Sequence, residues 1–434
     1  MLRAGLPLAI VLAWAAPAWA QQDPEVEHVD LIEESAPTAP SDVQDDVTPK
    51  PRWDTLVLGH LSAGAGAIGG GDTINPGTGA MSLVDGGLTG MLTRSKLELS
   101  VPVTYSYRQT YSTALTDMHG RGGGKLLYRF NRRVKASVEL GLGATWKPNW
   151  VDPFQPNVDM TDYLTTDRYS HWDRRAAADV DIRPARYQRV HVAYDYTLSV
   201  YKHDPNFDAI YQPLHLTPWD RDVHKVDAEW RITHPGKNSR SSTFRIGVEG
   251  ARWQYFYQFA GDAKTGITHS TSGGEPPNPL LELRSLKPRI ESDFSINDAI
   301  SLRARYELEL MQDTYQGYLS YAGHHPQLMA TWHLPRLAEL DASVEAYFRF
   351  YGRNSYDYQN ADDPMHPPFA YGDRRQERLA YGTVDFRMPV PLSWSTHWAG
   401  IAQAKIAARK TNYVYGIDWN YVNWMAWTGA EYRY

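Results

Sequence analysis

Residues 286–310 read LKPRIESDFSINDAISLRARYELEL. On the first arm Leu286, Pro288, Ile290, Phe294 and Ile296 alternate with Lys287, Arg289, Glu291, Asp293 and Ser295. On the second, Ile300, Leu302, Ala304, Tyr306, Leu308 and Leu310 alternate with Ser301, Arg303, Arg305, Glu307 and Glu309. Successive side chains of a strand point to opposite faces, so each arm is a strand with one apolar and one charged face. Asn297-Asp298-Ala299 between them is turn chemistry, and the stretch predicts a β-hairpin. A three-residue turn sets Ile296 opposite Ile300 and Phe294 opposite Leu302 on the apolar face. The charged face then pairs Asp293 with Arg303, Glu291 with Arg305, Arg289 with Glu307 and Lys287 with Glu309, all opposite in sign. Facing like charges cost energy, which selects this register over one that sets Arg289 against Arg303.

The unit recurs. Val134, Ala136, Val138, Leu140 and Leu142 alternate with Lys135, Ser137 and Glu139; Leu340, Ala342, Val344, Ala346 and Phe348 alternate with Asp341, Glu345 and Arg349. A turn at Pro184-Ala185-Arg186 predicts Asp181 opposite Arg189 and Arg175 opposite Asp195, and one from Thr233 to Ser241 predicts Glu229 opposite Arg245 and Lys225 opposite Glu249. Arg129 and Lys135 flank their own turn without complementary partners.

Between Trp53 and Tyr434 the pattern yields about sixteen strands, in the range of roughly 14–18. Tight connectors such as Asn131-Arg132 and Pro335-Arg336-Leu337 alternate with long ones from Pro148 to Asp167, Asp204 to Trp219, Ala260 to Pro279 and Asn354 to Gly372. Many strands exceed the ~9–11 tilted residues that cross a bilayer. Short turns at one end and long loops at the other predict an all-β fold, a transmembrane up-and-down antiparallel β-barrel. Gly64 to Gly79, rich in glycine, is expected to form a flexible loop or a segment folded into the lumen.

Composition agrees with lipid contact. The chain has 28 Tyr and 15 Trp but 11 Phe, the preference for rings with one apolar and one wet end that membrane interfaces select. Mean hydropathy is −0.51, and no apolar run long enough for a helical span follows the first twenty residues. There is no cysteine, so disulfides contribute nothing.

Residues 1–20 have the form of a signal peptide: Arg3, an apolar stretch from Leu6 to Ala16, and Ala18-Trp19-Ala20 as a small-x-small cleavage site. Residues 21–52 carry nine acidic side chains among Pro, Ser and Thr and are expected to be a disordered, periplasmic acidic arm, leaving 53–434 for the barrel. Taking those nine from the 50 acidic residues, and Arg3, Lys50 and Arg52 from the 44 basic ones, leaves 41 of each sign. A body of balanced charge gives nucleic-acid binding no electrostatic support.

The last six residues, Gly429-Ala430-Glu431-Tyr432-Arg433-Tyr434, resemble the C-terminal signal of bacterial outer-membrane β-barrels, in Gly429, Tyr432 and Tyr434. Trp427 stands where that signal usually has a polar residue, and the chain ends on Tyr rather than Phe. The resemblance implies placement in the bacterial outer membrane, with outer-membrane lipid and the barrel-assembly machinery as partners. The acidic arm is expected to dock a further, periplasmic partner.

No spacing suggests chemistry. His171, His191, His203, His333 and His397 fall in or near strands without a catalytic pattern, and His324-His325 and Asp362-Asp363 are adjacent pairs expected in loops, without a metal-binding frame. No catalysis, cofactor or metal is expected. Trp150, Asp152 and Tyr163 on one long loop, and Tyr356, Asp357 and Tyr358 on another, combine flat rings with polar groups suited to sugars. A barrel of this size is wide enough for an aqueous channel, so the leading expectation is a porin-like passive channel for hydrophilic solutes. The alternatives are the outer-membrane part of a polysaccharide export translocon, and a closed structural or adhesin barrel. Limited proteolysis of the purified protein should remove 21–52 first; protection of that segment without a partner would identify it instead as a plug in the lumen.

Overall fold

The computed structural model describes residues 53–70, 79–110, 115–146, 170–202, 220–235, 241–259, 279–313, 319–352, 376–390, 397–411 and 421–433. The first eight strands are β1 Asp54–Gly70, β2 Gly79–Arg94, β3 Leu97–Thr110, β4 Leu115–Arg129, β5 Val134–Trp146, β6 His171–Ile182, β7 Gln188–Tyr201 and β8 Arg221–Pro235. The second eight are β9 Ser241–Phe259, β10 Leu280–Asn297, β11 Ile300–Asp313, β12 Tyr321–His333, β13 Glu339–Tyr351, β14 Gln376–Pro389, β15 Trp398–Thr411 and β16 Tyr421–Arg433. Each pairs antiparallel with its neighbours in sequence, and β1 pairs with β16, closing a sixteen-stranded up-and-down barrel. Closure leaves no sheet edge unpaired.

Short turns join even- to odd-numbered strands. Ser95 and Lys96 link β2 to β3, with Ser95 at the positive φ of 53° that a two-residue hairpin requires. Most odd-to-even connections are longer, as from Trp146 to His171 and from Tyr351 to Gln376, so the barrel has a turn end and a loop end.

The faces are inverted relative to a water-soluble protein. Leu140, Leu142 and Trp172 are 69%, 67% and 69% exposed, whereas Asp181 and Glu377 are 3% and 1% exposed. An apolar outer wall and a charged interior are stable where the outside solvent is hydrocarbon. Aromatic rings mark both margins of that wall. Trp146, Trp172 and Trp424 stand outward toward the loop end, and Tyr128, Phe130, Trp230 and Trp332 toward the turn end. Tyr432 joins the second group beside Trp398 and His397, at ring separations of 5.1 and 5.8 Å.

The glycine-rich start of the barrel is not a loop as far as Gly70. Gly64 to Gly70 continue β1 and pair with β16, while 71–78 lie outside the described residues. The glycines make room there for Trp427, the residue that breaks the terminal signal. Its ring lies inside the barrel against β1, donating from Nε1 to Gln403 Oε1 at 3.0 Å, and a Cβ on Gly64 would lie 2.6 Å from it. A Cβ on Gly66 would meet the carbonyl oxygen of Ala426 as well. Bare glycines are what allow the first and last strands to approach with a Trp at the seam. Strand β4 begins at Leu115, although its glycines hide the alternation on its outer face.

Three turns differ from expectation. Asn297 pairs with Ile300 across a bulge, in place of Ile296, which leaves Asp298-Ala299 as the turn; Asn297 Oδ1 accepts from the Ala299 N–H at 2.8 Å. Beyond the bulge the expected register holds, with Asp293, Glu291 and Arg289 opposite Arg303, Arg305 and Glu307. Between β6 and β7 the register is displaced by two. Asp181 faces His191 instead of Arg189, and Arg175 faces Thr197 instead of Asp195. Between β8 and β9 it is also displaced by two: Glu229 faces Gly247, Lys225 faces Ala251, and Arg245 faces Arg231. A shift of two keeps every side chain on its own face, so the apolar pattern does not distinguish these registers. Gly66→Val is expected to abolish the heat-modifiable folded band in gel electrophoresis, whereas Gly90→Val, on the open outer surface, should retain it; a folded band for Gly66→Val would refute the seam assignment.

Candidate functional site

The interior wall is the part of this molecule able to act on a solute, and it is built from the charged faces of the strands. Near the turn end Arg303 donates to Asp293 at 2.6 Å, and Arg245 reaches Asp293 at 2.7 Å and also binds Glu291. Nearer the loop end Lys287 contacts Glu309 at 3.2 Å and Glu249 at 3.9 Å, and Lys225 contacts Glu249 at 2.8 Å. Asp181 accepts two bonds from Arg189, at 2.6 and 2.9 Å, while Arg175 binds Asp195 and lies 3.2 Å from Glu139. The pairs expected around β6 and β7 therefore form, but diagonally. Long side chains span that offset.

Directly facing residues are often of like sign. Arg129 faces Lys135, Arg231 faces Arg245, and Asp227 faces Glu249. Each is neutralised elsewhere. Arg129 lies 3.4 Å from Glu98, Lys135 3.2 Å from Asp181, Arg231 3.3 Å from Glu229, and Asp227 2.7 Å from Arg289. Of the expected hairpin contacts, those of Asp293 with Arg303 and of Lys287 with Glu309 form, and the other two are redistributed in the same way. Arg289 binds Asp227 and, at 3.3 Å, Glu229 instead of Glu307, and Arg305 binds Glu307 of its own strand at 2.6 Å.

Two glycines make the longest of these contacts possible. Glu229, Gly247 and Arg289 are successive partners across β8, β9 and β10, and the Arg289 guanidinium occupies the space where a Gly247 side chain would lie. Gly323 on β12 stands between Glu309 and Arg349, and Arg349 crosses it to reach Glu309 at 3.8 Å. Arg349 lies 3.7 Å from Glu377, which Arg409 contacts at 2.9 Å. A belt of alternating sign thus runs Lys225, Glu249, Lys287, Glu309, Arg349, Glu377, Arg409, through the strands from β8 to β15. Arg349 was read from the alternation of its strand, but Glu377 and Arg409 were not among the sequence-derived wall charges. Each occupies an inward position of its strand, so alternation marks their side, but the glycine gap that links them to Glu309 is a three-strand relation.

The histidines fall into this wall or onto the outer face. His171 lies 3.5 Å from Asp173 and His191 3.2 Å from Asp181. His324 and His325 are in β12 and not in a loop. His325 points inward, stacked on Tyr347 at 3.7 Å and 3.1 Å from Glu345; His324 points outward to the Tyr306 hydroxyl at 2.6 Å. Opposite faces prevent the two from sharing a metal. Asp179, Asp181 and His191 form the one cluster of metal-ligand type among the described residues. With Arg189 and Lys135 already on Asp181, it is an ion-pair node. His203, Asp362-Asp363, Tyr434 and the loop residues Trp150, Asp152, Tyr163, Tyr356, Asp357 and Tyr358 lie outside the described residues.

No family model matches the chain, and no curated protein does. Solved outer-membrane barrels are similar in fold. OccAB1 of Acinetobacter baumannii is 10% identical, over 87% of this chain and 96% of that one, with a TM-score of 0.46. OprB of Pseudomonas putida is 11% identical over 88% and 94%, at 0.46, and a loop-deleted OmpT, an outer membrane protein of Vibrio cholerae, is 12% identical over 88% and 99%, at 0.44. What the wall does is read from its own side chains.

Gly323→Val is expected to push Arg349 away from Glu309 and lower stability in denaturant by ~1–3 kcal/mol, since it leaves a buried carboxylate with one partner fewer. Gly124→Val, on open outer surface, shares the gain in strand propensity and serves as the reference. Equal unfolding midpoints for the two variants would remove the bridging role from Gly323.

Proposed function

We propose that this protein is a porin-like passive channel for hydrophilic solutes in the bacterial outer membrane, with its long loops outside and its short turns and N-terminal arm in the periplasm. The observation that carries the reading is the pairing of both signs of charge around the interior wall, between an outer wall whose charged groups stand only at its two margins. Mobile ions and polar solutes meet a polar surface there, and the near balance of sign gives little reason to prefer anions or cations. Sixteen strands are the size class in which barrels hold an aqueous lumen. Chemistry is no part of the proposal. Among the described residues nothing favours polysaccharide export over small-solute passage.

Purified protein in planar bilayers should show large, steady single-channel conductance with weak ion selectivity in a salt gradient. Arg303→Glu together with Arg305→Glu should shift the reversal potential toward cation preference. Absence of conductance in a folded, heat-modifiable preparation would replace the channel by the closed structural barrel.

A further inference from the structure

The outer wall carries a feature that passage through the lumen does not use. Among the described strands, outward positions hold no Asp, Glu, Lys or Arg across the middle of the barrel. At the turn-end margin there is Arg94; toward the loop end there are Arg174, Arg252, Arg284, Arg378 and Lys410, all exposed. The acidic residues on that loop-end margin are Asp222 and Glu282. The excess is of one sign and at one end.

Two of these sites set cations directly opposite each other. Arg252 faces Arg284, and both hold Glu282 at 2.8 Å, so a carboxylate of the chain itself bridges that pair. Arg378 faces Lys410, and no carboxylate of the described residues reaches either. Facing like charges on adjacent strands repel, the more so beside hydrocarbon. They belong to one row, in which His324, Phe348, Arg378 and Lys410 are successive partners from β12 to β15. Trp424, 40% exposed on β16, stands on the same wall nearer its middle. Outward aromatics mark the depth at which headgroups meet acyl chains.

We infer that Arg378 and Lys410 bind the phosphate of a membrane lipid in the leaflet at the loop end. Side chains on directly opposed strand positions start about 5 Å apart, a spacing one phosphate bridges. The guanidinium offers a two-pronged contact and the ammonium a point charge. Phe348 and Trp424 supply the apolar flank that a lipid meets and a free phosphate ion does not. The inference shares membrane insertion with the channel reading but not its lumen.

The test uses the full chain in detergent, with binding of bisphosphorylated lipid A, the same glycolipid stripped of phosphate, and inorganic phosphate read by native mass spectrometry and titration. The wild-type protein should retain the phosphorylated form and not the stripped one. Arg378→Gln with Lys410→Gln should weaken retention about 30-fold, from roughly 1 kcal/mol per basic residue at a lipid surface, and Arg378→Lys with Lys410→Arg should restore most of it. Heat-modifiable migration establishes that each variant is folded. Equal retention of the stripped glycolipid, equal retention by the Gln variant, or displacement by equimolar inorganic phosphate would overturn the assignment. Both residues are outside the lumen, so conductance should not change in either variant. A barrel that conducts nothing but loses the lipid in the Gln variant would fail the channel reading alone.

Discussion

In hydrocarbon no water is available to a bare peptide group, so every strand of a membrane-spanning sheet must find a partner on both sides. Here that constraint comes to rest on the contact between β1 and β16. The two strands are unlike: the second half of one is dominated by Ala and Gly, and the other carries Trp427, whose ring needs the room that Gly64 leaves and whose backbone approaches Gly66. Closure is therefore a matter of shape as well as of hydrogen bonding, and a terminal strand with an unusual aromatic is matched by a stretch of small residues in the first strand, Ala63 to Ala67.

Once the cylinder is closed, its inner face brings together charges that a flat hairpin keeps apart. Arg289 reaches over β9 to β8, and Arg349 reaches over β12 to β11. Such contacts offset the like-charge facings that register imposes, as at Arg231 and Arg245. Each solvated pair contributes on the order of 0–1 kcal/mol. Their larger effect is to tether charge against the wall, which leaves a polar surface with no strong net field. The outer face has the opposite economy: few charges, at the margins, unevenly divided between the two ends.

Much of this was legible in the alternation of residues 286–310 and its repeats. Period two gave sixteen strands and the side on which each residue stands, because the pleat allows no other arrangement once one face is apolar. Charge complementarity placed the β10–β11 register correctly, where the turn is tight. It misplaced β6–β7 and β8–β9 by two residues, because a shift of two preserves both faces and diagonal contacts satisfy the same charges.

The sequence by itself determined a barrel with an apolar outside, a charged inside, and loops divided by length between its ends, since those properties are local and repeat along the chain. Only the tertiary structure decided which side chains meet across strands: the glycines that let Arg289 and Arg349 pass over a neighbouring strand, the seat of Trp427 on β1, and the facing pair Arg378 and Lys410, which no carboxylate of the described residues reaches, in contrast to Arg252 and Arg284, which share Glu282. The physical reason is that closure turns circumferential neighbours into contacts, and which long side chain leans over which gap depends on registers that period two alone leaves open by steps of two.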